Sequence, residues 1–377
     1  MFYIKQAMQR SLLISILSFV ISINVLAKEN SSNTFDTSDY IVSDTPINKH
    51  SAYRPLKKVL VGFANPELLK RMSLIAPDVE FVSADQLTDD QQNFDAVLAG
   101  CRQANLIKHA PNAVWYHAYS AGVDACMKVP EIQNLANREE GLILTNSSGT
   151  AAAVIAEHSI AMMMSVTRGL HRYRDNQNGS NWNRSTSNEL NLMQTVTGKT
   201  MLVLGLGSIG QEIAIRANAL GMNVMATRNS SRSGPDYVDY VGLSNETIEL
   251  TQKADVIVNA LPLTDSTKGF LDKDFFQAMR PTAYYISIGR GGTTDTQALL
   301  DVLKNKEIAG AALDVTDPEP LPSDHPLWKL ENVIITPHIS GTGGESLNKT
   351  IGLALENLRR YQNAEPMLNM VDTALGY

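Results

Sequence analysis

Apolar runs of four to seven residues recur along the chain, separated by polar or helix-patterned stretches. Regular patterning begins at Lys57–Phe63, a short apolar strand, after a Ser-, Asn-, Asp- and Thr-rich stretch from Glu29 to Ala52 that shows no apolar period and reads as a linker. Further strand-like runs follow at Val79–Val82, Ala96–Ala99, Val114–His117 and Leu142–Thr145, with helical stretches such as Pro66–Ile75 and Pro130–Arg138 between them. A longer helical segment is expected from Thr150 to about Tyr173, and a polar loop from Asn176 to Asn191. A second alternating series then runs through Thr200–Leu204, Asn223–Ala226, Val256–Asn259, Tyr284–Ile288, Gly310–Leu313 and Val333–Thr336, and a last helix from about Gly344 to Tyr361. Strands alternating with helices imply parallel sheets covered on both faces. Two such series predict an α/β protein of two doubly wound domains.

The second series opens on a motif with a mechanism. The strand Met201–Leu204 runs into Gly205-Leu206-Gly207-Ser208-Ile209-Gly210, and an amphipathic helix runs out of it. In that context Gly205 permits the tight turn, Gly207 lets a pyrophosphate approach the backbone, and Gly210 lets helix and strand pack closely. Ser208 and Ile209 open the helix whose free amides face the phosphates. NAD recognition calls for a carboxylate at the end of the next strand. This chain has Arg228 there, followed by Asn229, Ser230, Ser231 and Arg232, a set that suits the 2′-phosphate of NADP better than the bare ribose of NAD.

Composition narrows the picture. The 377 residues suit two domains, and the net charge of −7 without a basic stripe excludes a nucleic-acid partner. Cys101 and Cys126 form no metal-type cluster, so no metal is expected. Two free thiols are the plainer expectation, and a Cys101–Cys126 disulfide the alternative for an exported protein. Export is what the N-terminus suggests. Lys5 and Arg10 precede the apolar run Leu12–Leu26, and Val25 and Ala27 fit a cleavage site, so residues 1–27 read as a signal peptide and 28–52 as the linker. Removal of that segment leaves 30 basic against 39 acidic residues. Cytoplasmic or membrane-tethered placement is the alternative.

Three segments of the last third complete the pattern: Ile286–Gly292 around Arg290, Ala312–Pro322 around Glu319, and Thr336–Gly341 around His338. With the glycine motif, and with Ser120–Asp124, Val154–His158 and Asp324–Trp328, they resemble in order the D-isomer-specific 2-hydroxyacid dehydrogenases, from Lys57 on. That resemblance implies a Rossmann nucleotide-binding domain over 150–336 and a flavodoxin-like, discontinuous substrate domain over 53–149 and 337–377. It implies Arg290, Glu319 and His338 as catalytic residues, with the Ala121-Gly122-Val123 backbone and Arg290 holding a small 2-keto acid. Leu261, Pro262, Ile288 and Asp314 would line NADP or NAD, and the 150–173 helix would join a homodimer. His158 reads as a structural histidine. A nucleotide-sensing protein with little turnover is the alternative on the same fold, discriminated by a turnover assay.

Overall fold

The computed structural model describes residues 35–88, 90–184 and 195–373. The expected signal peptide, most of the N-terminal half of the linker and part of the 176–191 loop lie outside the described residues. Asp39–Tyr377 form one compact unit.

The strands are β1 (Lys58–Val61), β2 (Glu80–Ser83), β3 (Ala96–Ala99), β4 (Trp115–Ala118), β5 (Ile143–Thr145), β6 (Thr200–Leu204), β7 (Asn223–Thr227), β8 (Tyr240–Gly242), β9 (Val256–Asn259), β10 (Tyr284–Ser287), β11 (Gly310–Leu313) and β12 (Val333–Ile335). The α-helices are α1 (Pro66–Ile75), α2 (Pro130–Ala136), α3 (Ala152–Thr167), α4 (Leu170–Asn178), α5 (Ser208–Ala219), α6 (Thr247–Thr251), α7 (Lys273–Ala278), α8 (Thr296–Lys304) and α9 (Gly344–Gln362). Two α/β domains result. One sheet has five strands in the order β2-β1-β3-β4-β5, the flavodoxin-like arrangement, and the other has seven in the order β12-β11-β10-β9-β6-β7-β8. All the strand pairs within them are parallel. Apolar side chains fill both faces of each sheet, which is why the strands read as unbroken apolar runs and not as alternating ones. The last helix, α9, returns to the first sheet: Leu355, Leu358 and Tyr361 share a core with β1 and Trp115.

Three local expectations are revised. The single helix from Thr150 to Tyr173 is two, because Gly169 adopts φ +64° and ends the first at Arg168. The strand β8 went unread, since its three residues follow a Pro- and Ser-rich loop and form an edge with Tyr240 exposed. The end of the supposed linker is docked: Ile47 and Ala52 are buried, and Ser43 N and Ile47 N donate to Met367 O and Glu365 O. Its few apolar residues find partners more than three hundred positions away, which no local period reveals.

Candidate active site

The candidate catalytic residues follow three neighbouring parallel strands. Arg290 comes three residues after β10, Glu319 six after β11 and His338 three after β12. Parallel strands in the order β12-β11-β10 deliver these loops to one edge of the sheet, its carboxyl edge, where open α/β sheets bind ligands. The loops also pack on one another. A Cβ on Gly291 would lie 1.9 Å from Thr316 O, so only glycine lets the Arg290 turn meet the segment leading to Glu319.

His338 Nδ1 stands 2.7 Å from Glu319 Oε1. Its backbone is in the left-handed region at φ +52°. Asp314, buried beneath it, holds that turn. Its Oδ1 accepts from Thr336 Oγ1 at 2.6 Å and from Ile339 N at 3.0 Å, its Oδ2 from Ser340 N at 3.0 Å, and its carbonyl from His338 N at 2.8 Å. Burial pushes the Asp314 carboxyl up, but the hydrogen bonds from Ser340, Thr336 and Ile339 outweigh it and hold the group below its ordinary value. Asp314 is expected beside the cofactor, and its oxygens also hold the histidine turn. His158 Nε2 lies 3.0 Å from Thr336 Oγ1, in keeping with a structural reading.

Arg290 faces the loop after β4. Its Nη2 lies where a Cβ on Gly122 would be 2.0 Å away. Nε donates to Asp124 Oδ1 at 3.1 Å and Nη1 to Gly289 O at 3.0 Å. The carbonyls of this loop are drawn off: Asn146 Nδ2 donates to Ala121 O at 2.8 Å and Ser120 Oγ to Gly122 O at 2.9 Å. Among the described residues the amides of Ala121, Gly122 and Val123 have no acceptor. Amides left open beside a guanidinium form an anion cradle. Behind it, Cys101 and Cys126 are joined by a disulfide, with Cys101 Sγ 3.7 Å from Gly122 O. This corrects the expectation of free thiols: residues 25 apart in sequence are brought to a Cα–Cα distance of 4.8 Å by the packing of the segment after β3 against the 120–127 loop.

The glycine turn fits a dinucleotide. Gly205 is at φ +93°, a Cβ on Gly210 would stand 2.1 Å from Gly205 O, and one on Gly207 would meet nothing within 4 Å. Turn and helix are therefore pressed together while Gly207 opens outward. No side chain caps α5, so its first amides are left for phosphate. Gly205 N and Leu206 N donate to Thr227 O, which sets the turn against the end of β7, where Arg228 begins. The Ala260–Leu261 backbone lies against Gly289 and Pro262 is exposed, at the same sheet edge, whereas the Ile288 side chain is buried in the core and can offer a ligand only its backbone. The Arg228 side chain makes a long hydrogen bond, 3.4 Å from Nη1 to Ser233 O, while its backbone N donates to Gly242 O. Arg232, expected at the 2′-phosphate, is here paired with Glu246 and donates to Tyr240 Oη. The hydrogen bonds from Arg232 and then Tyr240 push the Glu246 carboxyl down to about 2.

Comparison with known proteins decides the family. Residues 160–340 match the model for the NAD-binding domain of D-isomer specific 2-hydroxyacid dehydrogenases. A glyoxylate reductase of Thermofilum pendens is 30% identical over 255 residues, 68% of this chain and 74% of that protein. The chain belongs to the D-isomer-specific 2-hydroxyacid dehydrogenase family. A solved family member from Aeromonas salmonicida superposes with a TM-score of 0.72 at 27% identity, covering 85% of this chain and all of that one. An NADPH-dependent glyoxylate/hydroxypyruvate reductase of Sinorhizobium meliloti, 21% identical, shares the fold at a TM-score of 0.72, over 85% of this chain and all of its own. This dehydrogenase is an oxidoreductase acting on CH–OH groups with NAD(P). Sequence reasoning passed over Asp124, Asn146, Glu246 and Thr336, whose roles arise from contacts between distant segments.

Proposed function

We propose that this dehydrogenase reduces a small 2-keto acid, of the glyoxylate or hydroxypyruvate kind, to the D-2-hydroxy acid with NADPH, and runs in reverse with NADP. The observation that carries this reading is the pairing of His338 with Glu319 on the same sheet edge as Arg290 and the open amides of Ala121–Val123. The amides and the Arg290 guanidinium take the substrate carboxylate, and Arg290 polarises the adjacent carbonyl. The nicotinamide, when bound, supplies the hydride. His338, with Nδ1 engaged by Glu319, has Nε2 left to give a proton to the developing alkoxide, and the contact with Glu319 fixes the orientation of the ring. A screen of glyoxylate, hydroxypyruvate and longer 2-keto acids with NADPH and NADH tests this. Absence of turnover with all of them defeats it.

Three further parts of the reading extend beyond the reaction class. NADP preference rests on Arg228, which is loosely held, and on Arg232, which must exchange Glu246 for the 2′-phosphate. A homodimer is supported by the outward face of α3, where Val154 and Ala161 line an open groove of about 500 Å³, and by exposed Leu170 beyond the Gly169 break; light scattering of the purified protein measures it. Export is supported by the N-terminal pattern and by the Cys101–Cys126 disulfide, since such bonds persist in oxidising compartments. Among the described residues no helix is long and apolar enough to cross a membrane. The N-terminal sequence of the protein from its native cell tests export: a start near Lys28 is expected, and an intact Met1 in a soluble cytoplasmic fraction refutes it.

A further inference from the structure

We infer that Asp124 is a positioning residue for Arg290, aiming the guanidinium at the substrate while itself touching no substrate. The inference rests on the reading of Arg290 as the carboxylate-binding arginine.

Arg290 stands after β10 of the seven-stranded sheet and Asp124 after β4 of the five-stranded one, so their 3.1 Å contact reaches from one domain to the other. The side chains are 28% and 20% exposed, enough burial to blunt solvent screening yet open to a ligand. An arginine side chain has many rotamers, and its planar fork is useful only when aimed. Two of its edges are fixed here. Nε is tied to Asp124 and Nη1 to Gly289 O, which turns Nη2 towards Gly122 and the open amides of the loop. Asp124 belongs to that same loop, two residues from Gly122. The contact therefore sets the distance between the two halves of the carboxylate grip as well as the direction of the fork.

The carboxylate has an opposing electrostatic effect. A negative group beside Arg290 offsets part of the charge that attracts an anionic substrate. A residue kept only to strengthen anion binding would not be acidic. Removing Asp124 should thus leave ground-state binding of the carboxylate unchanged or tighter, and damage the step that needs the carbonyl aligned with the hydride. Misplacement on the ångström scale costs on the order of 100-fold in rate.

The test compares Asp124→Ala and Asp124→Asn with the wild type, in kcat, in KM for keto acid and NADPH, in affinity for oxalate as an inert dicarboxylate, and in melting temperature. We expect kcat to fall about 10- to 100-fold in Asp124→Ala with KM for NADPH unchanged and oxalate affinity equal or higher. Asp124→Asn still offers Nε an oxygen and should recover part of kcat. Wild-type kcat in both variants overturns the inference. So does a parallel loss of kcat, oxalate affinity and thermal stability with no recovery by asparagine, which assigns Asp124 a merely structural part. A wild-type enzyme that turns over 2-keto acids while ignoring both substitutions sinks this inference alone; a wild-type protein that turns over none sinks the proposed function along with it.

Discussion

Single residues here are legible to different depths. Arg290, Glu319 and His338 each follow a strand of the last third, and those three parallel neighbours bring them to one edge of a sheet. Glu319 and His338 touch each other across 19 residues of sequence, whereas what Arg290 touches was not legible, because Asp124 comes from a segment more than a hundred residues away. Their roles are testable one by one. His338→Ala should lower turnover by at least about 100-fold, the scale of a positioned acid–base group, read in steady-state keto-acid reduction. Glu319→Gln keeps a hydrogen bond to the ring but removes the carboxylate that orients it, so turnover should fall, though by less than in His338→Ala, read in the same assay. Arg228→Asp should shift preference from NADP towards NAD, costing about 1.5–3 kcal/mol of NADP binding, measured by calorimetric titration with both cofactors.

Among the elements, the strands were the most readable, because burial on both faces makes each an apolar run of its own. Turns and edges were not. Gly169 splits a helix that looked continuous, and Tyr240–Gly242 pairs at an edge with Tyr240 exposed and only Val241 and Gly242 buried. The strand β4, between β3 and the edge strand β5, carries a titration of its own. His117 is fully buried, its Nδ1 2.8 Å from Thr145 Oγ1, and burial pushes it down from 6.5 to about 3. The fold therefore holds it neutral. Above about pH 6.5 the folded and unfolded chains agree on its protonation and its contribution is complete. As the pH falls from there towards 3, the unfolded chain takes up a proton that the fold refuses, and stability is lost. Thermal midpoints should decline over that range, and His117→Gln, which can keep a bond to Thr145, should flatten the decline. An unchanged slope in the variant would show that other groups carry the acid sensitivity.

At the level of the whole molecule, two sheets supply one site, one carrying the amide loop and the other the arginine, the carboxylate and the histidine. The disulfide clasps the first of these. Closing a loop of 25 residues constrains the unfolded chain by about 3 kcal/mol, so reductant should lower the urea midpoint, while Cys101→Ser with Cys126→Ser should show no response to reductant at all. Equal midpoints with and without reductant in the parent protein would mean the bond contributes nothing. The return of α9 to the first sheet has a consequence for how such a molecule comes into being. Leu355, Leu358 and Tyr361 seal a core whose strands are made hundreds of residues earlier, and Asn369, Met367 and Glu365 then fasten the 41–47 stretch. A nascent chain leaving the ribosome can finish its nucleotide half while its first half still waits, open, for the last helix to arrive. Chains halted before Gly344 should accordingly expose Trp115 to quenchers and yield to protease in the first sheet, while the second resists. On the proposed export route, that delay keeps half of the chain threadable until synthesis ends.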